Sequence, residues 1–385
     1  MIILIFLLCI SIFCIIFFLF KKKNILITIL FSLSLLYFIL NPEICINSTL
    51  NGIKIFFNKV FPSLFPFLII SNIIISYDGI SIYSKLLGSI LCKPLRLPKE
   101  CSFVLIISAL CGYPLGAKYC CDLYEKGIID FNTTERLLNI ASNASPLFIV
   151  GAVGTSMLQN PYLGYLLLIS NYISCIIMGL ILPSKITSTI NKNFTNKVSV
   201  NKNIGNILKD SIENSIKTCL SIGGFITIFS VLNTIIKNNF LFNTLVNNIS
   251  LLLNIPKEAI EGFSLGLIEI TNGCNIISLN YINTYYKLII ISFLIGFSGI
   301  SIISQVYSFT YKFNFSIKKY TYRKLIQSFI CAFTTMLLYT FGIFNSYIQT
   351  LNTSYKSISW LQNLLLILIV LPFILHNIKN LFHIS

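Results

Sequence analysis

Long apolar runs broken by short polar segments fill the chain from end to end, and their spacing predicts membrane-spanning helices. A span needs about 20 mainly apolar residues. Nine stretches meet that need: 1–20, 24–41, 52–76, 142–158, 162–183, 216–237, 286–306, 325–345 and 358–376. Two further apolar stretches, 101–117 and 259–275, run into Gly112-Tyr113-Pro114-Leu115-Gly116 and into Glu269-Ile270-Thr271-Asn272-Gly273. Pro removes a backbone donor and Gly loosens a helix, and irregular backbone at membrane depth is tolerated only against protein or a wet cavity. Both stretches are expected to be re-entrant hairpins with broken tips; two short capped spans are the alternative.

With the hairpins in place the order repeats. Span 52–76, hairpin 101–117, polar-containing span 142–158 and closing span 162–183 are answered by span 216–237, hairpin 259–275, polar-containing span 286–306 and closing span 325–345. Gly112 and Gly151 are separated much as Gly262 and Gly299 are. The fold class is therefore an all-α polytopic membrane protein built as an inverted-topology repeat, a plan of secondary transporters. The division is 1–50 (two N-terminal spans), 51–183 (first repeat), 184–215 (cytoplasmic linker), 216–345 (second repeat) and 346–385 (last span and tail).

Charge sets the orientation. The N-terminus is placed outside and the C-terminus in the cytoplasm, because cytoplasmic loops concentrate Lys and Arg. Lys21 to Lys23, the basic residues of 77–141, those of the linker, Lys312, Lys318, Lys319, Arg323 and Lys324 of segment 307–324, and Lys379 then face the cytoplasm. The outer loops 42–51, 238–258 and 346–357 hold chiefly Lys257 and Lys356. The run 1–20 lacks a basic n-region and a cleavage site, and is read as a retained span.

Composition excludes several classes. Hydrophobic residues make up 55% and charged residues 10%, with a mean hydropathy of +0.84, against about 25% charged in soluble domains. The net charge of +16 follows from the loop cations, and no nucleic-acid motif accompanies it. Twelve Cys form no CxxC pair, and His376 and His383 have no nearby carboxylate or Cys partner, so neither a metal site, a disulfide framework nor a cofactor is expected. No catalytic motif points to an enzyme. The expected partners are the lipid bilayer, a small solute with a coupling proton or sodium ion, and a second copy of the chain.

Four polar segments carry the candidate chemistry. In the first, Gly112, Pro114 and Gly116 free backbone amides beside Tyr113 and Lys118; Lys118 either meets a substrate carboxylate or snorkels to headgroups. In the second, Asn143 and Ser145 precede Pro146 and either line a pore or cap the helix. The third runs from Gly266 through Glu269, Thr271 and Asn272 to Gly273. Of the twelve acidic residues Glu269 is the one set well inside an apolar stretch, where a carboxylate faces a cavity, a partner or a proton path; pairing with Lys118 is the structural alternative. In the fourth, Ser298, Ser301 and Gln305 recur at helical spacing beside Gly299 and predict one polar face. Pro62 and Pro66 predict a break or kink in span 52–76.

The runs CGYPLGAK, SNASPLFIVGAVG, GLIEITNG and GFSGISIISQ, with the earlier PSLFPF, resemble the YlbJ-type sporulation integral membrane proteins, which carry nucleoside-recognition Gate domains. The resemblance runs from about residue 50 to 345. It implies a role in endospore formation, a place in the outer forespore membrane of a spore-forming bacterium, and movement of dipicolinic acid toward the forespore. Lys118, freed amides and helix N-termini would then suit a dianionic aromatic, with Tyr113 stacking on its ring. A nucleoside or other polar solute is the alternative cargo, and a non-transporting scaffold for spore assembly the alternative role.

Overall fold

Apolar runs without alternating polarity fold here into helices throughout the described chain, residues 23–183 and 203–341 of a computed structural model. The expected spans 1–20 and 358–376, most of the linker, His376 and His383 lie outside the described residues. The first half contains α1 (Lys23–Leu40), α2 (Pro42–Ile55), a π-helical turn (Phe56–Val60), α3 (Phe61–Ser76), α4 (Gly79–Cys92), α5 (Ser102–Cys111), α6 (Leu115–Glu125), α7 (Phe131–Ile140), a π-helical segment (Leu147–Met157) and α8 (Pro161–Ile181). The second contains α9 (Ile204–Lys237), α10 (Phe240–Leu253), α11 (Lys257–Ile268), α12 (Ile270–Leu279), α13 (Thr284–Phe297), α14 (Gly299–Thr310) and α15 (Ile317–Thr340).

Among the described residues three helical stretches are long and apolar enough to cross a membrane: α8, α9, and α13 with α14. The pairs α1–α2 and α3–α4 pass the same test but bend by 108° and 96°. Large side chains such as Leu251 and Leu252 stay 82% exposed on α10, a surface that suits hydrocarbon and not water. This is the build of an integral membrane protein.

Several boundaries differ from expectation. Outer loop 42–51 is helical, because Pro42 sits in the first turn, where its missing N–H costs nothing. Loop 238–258 contains α10, and residues 204–215 of the linker are the first turns of α9. Span 52–76 is not one regular α-helix: a π-helical turn lies just before Pro62, which opens α3, and Pro66 sits inside α3. Segment 307–324 is not all loop, since α15 begins at Ile317 and takes Lys324 into its buried face. Span 286–306 is divided at Ser298 into α13 and α14. Span 142–158 opens with irregular backbone before its π-helical segment.

Both apolar stretches with predicted breaks are helix–break–helix units whose arms pack on each other, α5 with α6 and α11 with α12. The units exchange partners across the two halves: α6 packs on α14, and α12 packs on the π-helical segment 147–157. The helices that close each half, α8 and α15, also pack together.

One buried cation ties the ends of these elements. Arg136 on α7, only 5% exposed, donates to the Arg96 carbonyl at 2.8 Å, to Leu182 at 3.2 Å and to Gly179. The last carbonyls of a helix have no intrahelical partner, and this guanidinium satisfies those of α8. Arg136→Ala leaves the two buried carbonyls of Gly179 and Leu182 without this donor and should lower stability by about 3 kcal/mol. A fall of several degrees in the melting temperature of the detergent-solubilised protein is expected, with Arg136→Lys intermediate.

Candidate functional site

The first break follows from Gly112, whose φ of +74° no L side chain adopts easily, and a Cβ there would meet the Ser145 nitrogen at 2.3 Å. The Tyr113 N–H donates to the Asn143 carbonyl at 2.7 Å. The Asn143 side chain in turn accepts from the Ser108 hydroxyl and donates to the Ser108 carbonyl at 2.8 Å. The tip of the first hairpin is thus locked onto the irregular segment 141–146.

The second break is organised by Glu269, extended at φ −139° and ψ 115°. Its carboxylate accepts the Thr271 N–H at 3.0 Å and the Asn272 N–H at 2.9 Å, capping α12. The negative charge therefore sits on the positive end of a helix dipole. In the break of α13–α14, Ser298 and Gly299 have φ of 73° and +80°, and a Cβ on Gly299 would lie 3.3 Å from the carbonyls of Gly266 and Ile268. Each hairpin tip is docked on the broken helix of its own half.

Residues at these interruptions, or on the helices that follow them, line one cavity of about 500 Å³. Tyr113 and Pro114 come from the first tip, and Ser145, Phe148 and Gly151 from the helix after the first irregular segment. Glu269, Ile270 and Thr271 come from the second tip, and Ser301 and Gln305 from α14. Pro62 and Leu64 of α3, Ile222 and Ile226 of α9 and Asn58 complete the wall. The volume is in the range of small-molecule sites, roughly 300–1,000 Å³, and a mostly apolar wall with a few convergent polar groups is their usual chemistry. Among the side chains the structure describes, which do not include that of Lys59, Glu269 brings a charge to this lining and no Lys or Arg does.

Of the expected site residues, Tyr113, Ser145, Glu269, Thr271, Ser301 and Gln305 converge here. Lys118, Asn143, Asn272 and Ser298 do not line it. Lys118 pairs with Asp122 at 2.8 Å, one turn along α6, and lies over the Tyr119 ring; it does not pair with Glu269. Asn143 is held by Ser108, Asn272 contributes its backbone N–H to Glu269, and the buried Ser298 hydroxyl donates to the Phe297 carbonyl. The polar stripe of the fourth segment therefore starts at Ser301, because the helix is interrupted at Ser298.

Expected break residues divide in the same way. Gly112, Pro114 and Gly299 are at breaks, whereas Gly116 lies inside α6 against the Ala141 carbonyl. Gly266 and Gly273 are not hinges: they lie within α11 and α12, where a Cβ on Gly273 would come within 2.2 Å of the Gly266 Cα. They let the two arms touch backbone to backbone.

Lys324 is the residue that loop-based reading missed. It is fully buried beside the Tyr113 ring, with Nζ 5.8 Å from the ring centre. The available signal was the buried spacing Tyr320, Lys324, Gln327, Ser328, Cys331 along α15.

The chain is 28% identical over 320 residues to "Sporulation integral membrane protein YlbJ" of Bacillus subtilis (strain 168), an alignment covering 78% of each protein. The resemblance carried by the short motifs thus extends along most of the chain, which is a relative of the YlbJ-type proteins. No protein-family profile matches the chain, and no solved structure does.

The cap at Glu269 makes a testable statement about stability. Glu269→Gln keeps one acceptor for the two amides and should leave melting within a degree or two. Glu269→Ala removes both and should lose about 1 kcal/mol, read as a lower melting temperature in detergent.

Proposed function

We propose that this protein is a secondary transporter or facilitator of a small organic anion, with dipicolinic acid as its cargo and the outer forespore membrane of a sporulating cell as its setting. The observation that carries the reading is the meeting of four chain breaks, two from each half, around one cavity with an embedded carboxylate. Transporters built from inverted repeats bind substrate where broken segments meet near the bilayer midplane. The recurring order of elements and the exchange of partners between halves support reading 51–183 and 216–345 as such repeats, with hairpins 101–117 and 259–275 re-entrant; nine spans with the N-terminus outside complete the proposal, from hydropathy and loop charge. The printed name of the Bacillus subtilis relative supports the sporulation setting.

On this reading a planar aromatic acid stacks on Tyr113 and is held by Ser145, Thr271, Ser301 and Gln305. Glu269 takes up and releases the coupling proton or sodium ion, because it faces the cavity while anchored at the start of α12. The chain works as a carrier without a cofactor, and catalysis has no part in it. A second reading, a nucleoside or other neutral polar solute, is favoured by one observation: no cationic group lines the cavity among the side chains that the structure describes.

Flux into proteoliposomes, with and without a pH gradient, tests these readings. Dipicolinate uptake is expected, with Glu269→Gln lowering it at least about tenfold and Lys118→Ala, off the cavity, retaining most of it. Uptake of nucleosides that dipicolinate does not compete with would favour the second reading. Movement of neither solute would leave a scaffold for spore assembly.

A further inference from the structure

Among the described side chains lining this cavity the charge is that of Glu269, and an anion held there needs a counter-charge. We infer that Lys324 supplies it, recognising a substrate carboxylate from beside the Tyr113 ring. The inference rests on the anion-transport reading and assigns the residue that gives it charge selectivity.

The environment of Lys324 is unusual for an ammonium. The residue is fully buried in α15. Nζ donates to the Ser142 carbonyl at 2.9 Å and to Gln327 Oε1 at 3.0 Å, both neutral acceptors. An ammonium has three donors. Among the described residues no carboxylate lies within ion-pair distance of it; Glu135 of α7, which faces the start of α15, is engaged by Lys319 and Arg323. A buried charge without a partner is costly, and ionisable groups within membrane proteins mark substrate and ion pathways.

The surroundings fix where the missing partner belongs. Gln327 is oriented by its own donation to Cys175 Sγ at 3.0 Å, so its oxygen stays turned to Lys324. Ser142, which offers its carbonyl, is pinned by a 2.7 Å hydrogen bond between its hydroxyl and Tyr320. The ammonium is therefore held in place and lies over the Tyr113 ring, which itself lines the cavity. Two buried polar atoms of that lining have no partner in the protein: the Tyr113 hydroxyl and Gln305 Oε1. The ammonium beside that ring favours an anionic group in the adjoining space over a neutral group of the same shape, in a medium of low dielectric constant. The ring itself suits a planar aromatic acid.

Binding of three probes to the full-length protein in nanodiscs tests the assignment: pyridine-2,6-dicarboxylate, pyridine-2-carboxylate and the neutral pyridine-2,6-dicarboxamide. Wild type is expected to prefer both acids over the diamide. Lys324→Gln, which keeps a donor to the Ser142 carbonyl but no charge, should lose that preference by roughly tenfold or more while still binding the diamide. Lys324→Arg should keep it, whereas a merely structural lysine would weaken all three probes together. An unchanged acid preference in Lys324→Gln would overturn the role of Lys324 and leave anion transport standing. A wild type that binds the diamide and neither acid, or none of the probes, would overturn both. If Lys324→Gln does not survive purification, Gln327→Glu, which sets a carboxylate against the ammonium, is expected to lose the acid preference, and an unchanged preference there would overturn the role of Lys324.

Discussion

In hydrocarbon a backbone amide or carbonyl finds no water, so each interruption of a helix must be answered by another part of the protein. This chain answers its interruptions mostly with one another. The Tyr113 amide finds the Asn143 carbonyl, the Thr271 and Asn272 amides find the Glu269 carboxylate, and Gly299 brings its backbone against the carbonyls of α11. Because breaks gather in order to be satisfied, the polar groups they carry gather too. The cavity is the space left where they meet.

Close approach is the second requirement. At Gly112 and Gly299 a positive φ turns the chain, and at Gly112 any side chain would strike the backbone of Ser145. Gly266 and Gly273 bring the arms of the second hairpin into backbone contact. Farther out, Arg136 covers the carbonyl end of α8 and joins it to the turn after α4. These contacts give the cavity walls made of helix ends, whose dipoles and free valences are better suited to a polar solute than helix flanks are.

Charge placement follows a different logic. The carboxylate that faces the cavity is hydrogen-bonded by two amides at a helix N-terminus, while the buried ammonium of Lys324 is met by neutral oxygens alone. Lys118, which stands beside the first tip in sequence, is already paired with Asp122. Proximity along the chain and proximity to the cavity are separate properties, and here they choose different lysines.

Hydropathy and helix-breaking residues determined a great deal on their own. The helical class, the membrane setting, the long helices α8 and α9, and the positions of the breaks near 112–114 and 269 are all local consequences of side-chain polarity and backbone preference. Glu269 was legible for the same reason, as a carboxylate within an apolar run. Tertiary structure alone decided which polar residues share a cavity. It turned Asn143 to Ser108, set Gly266 against Gly273, extended α15 back to Ile317 and buried Lys324 beside a tyrosine more than 200 residues earlier in the chain. The period of a helix tells which residues share a face, but the partner of that face comes from packing between distant segments, and no local pattern records it.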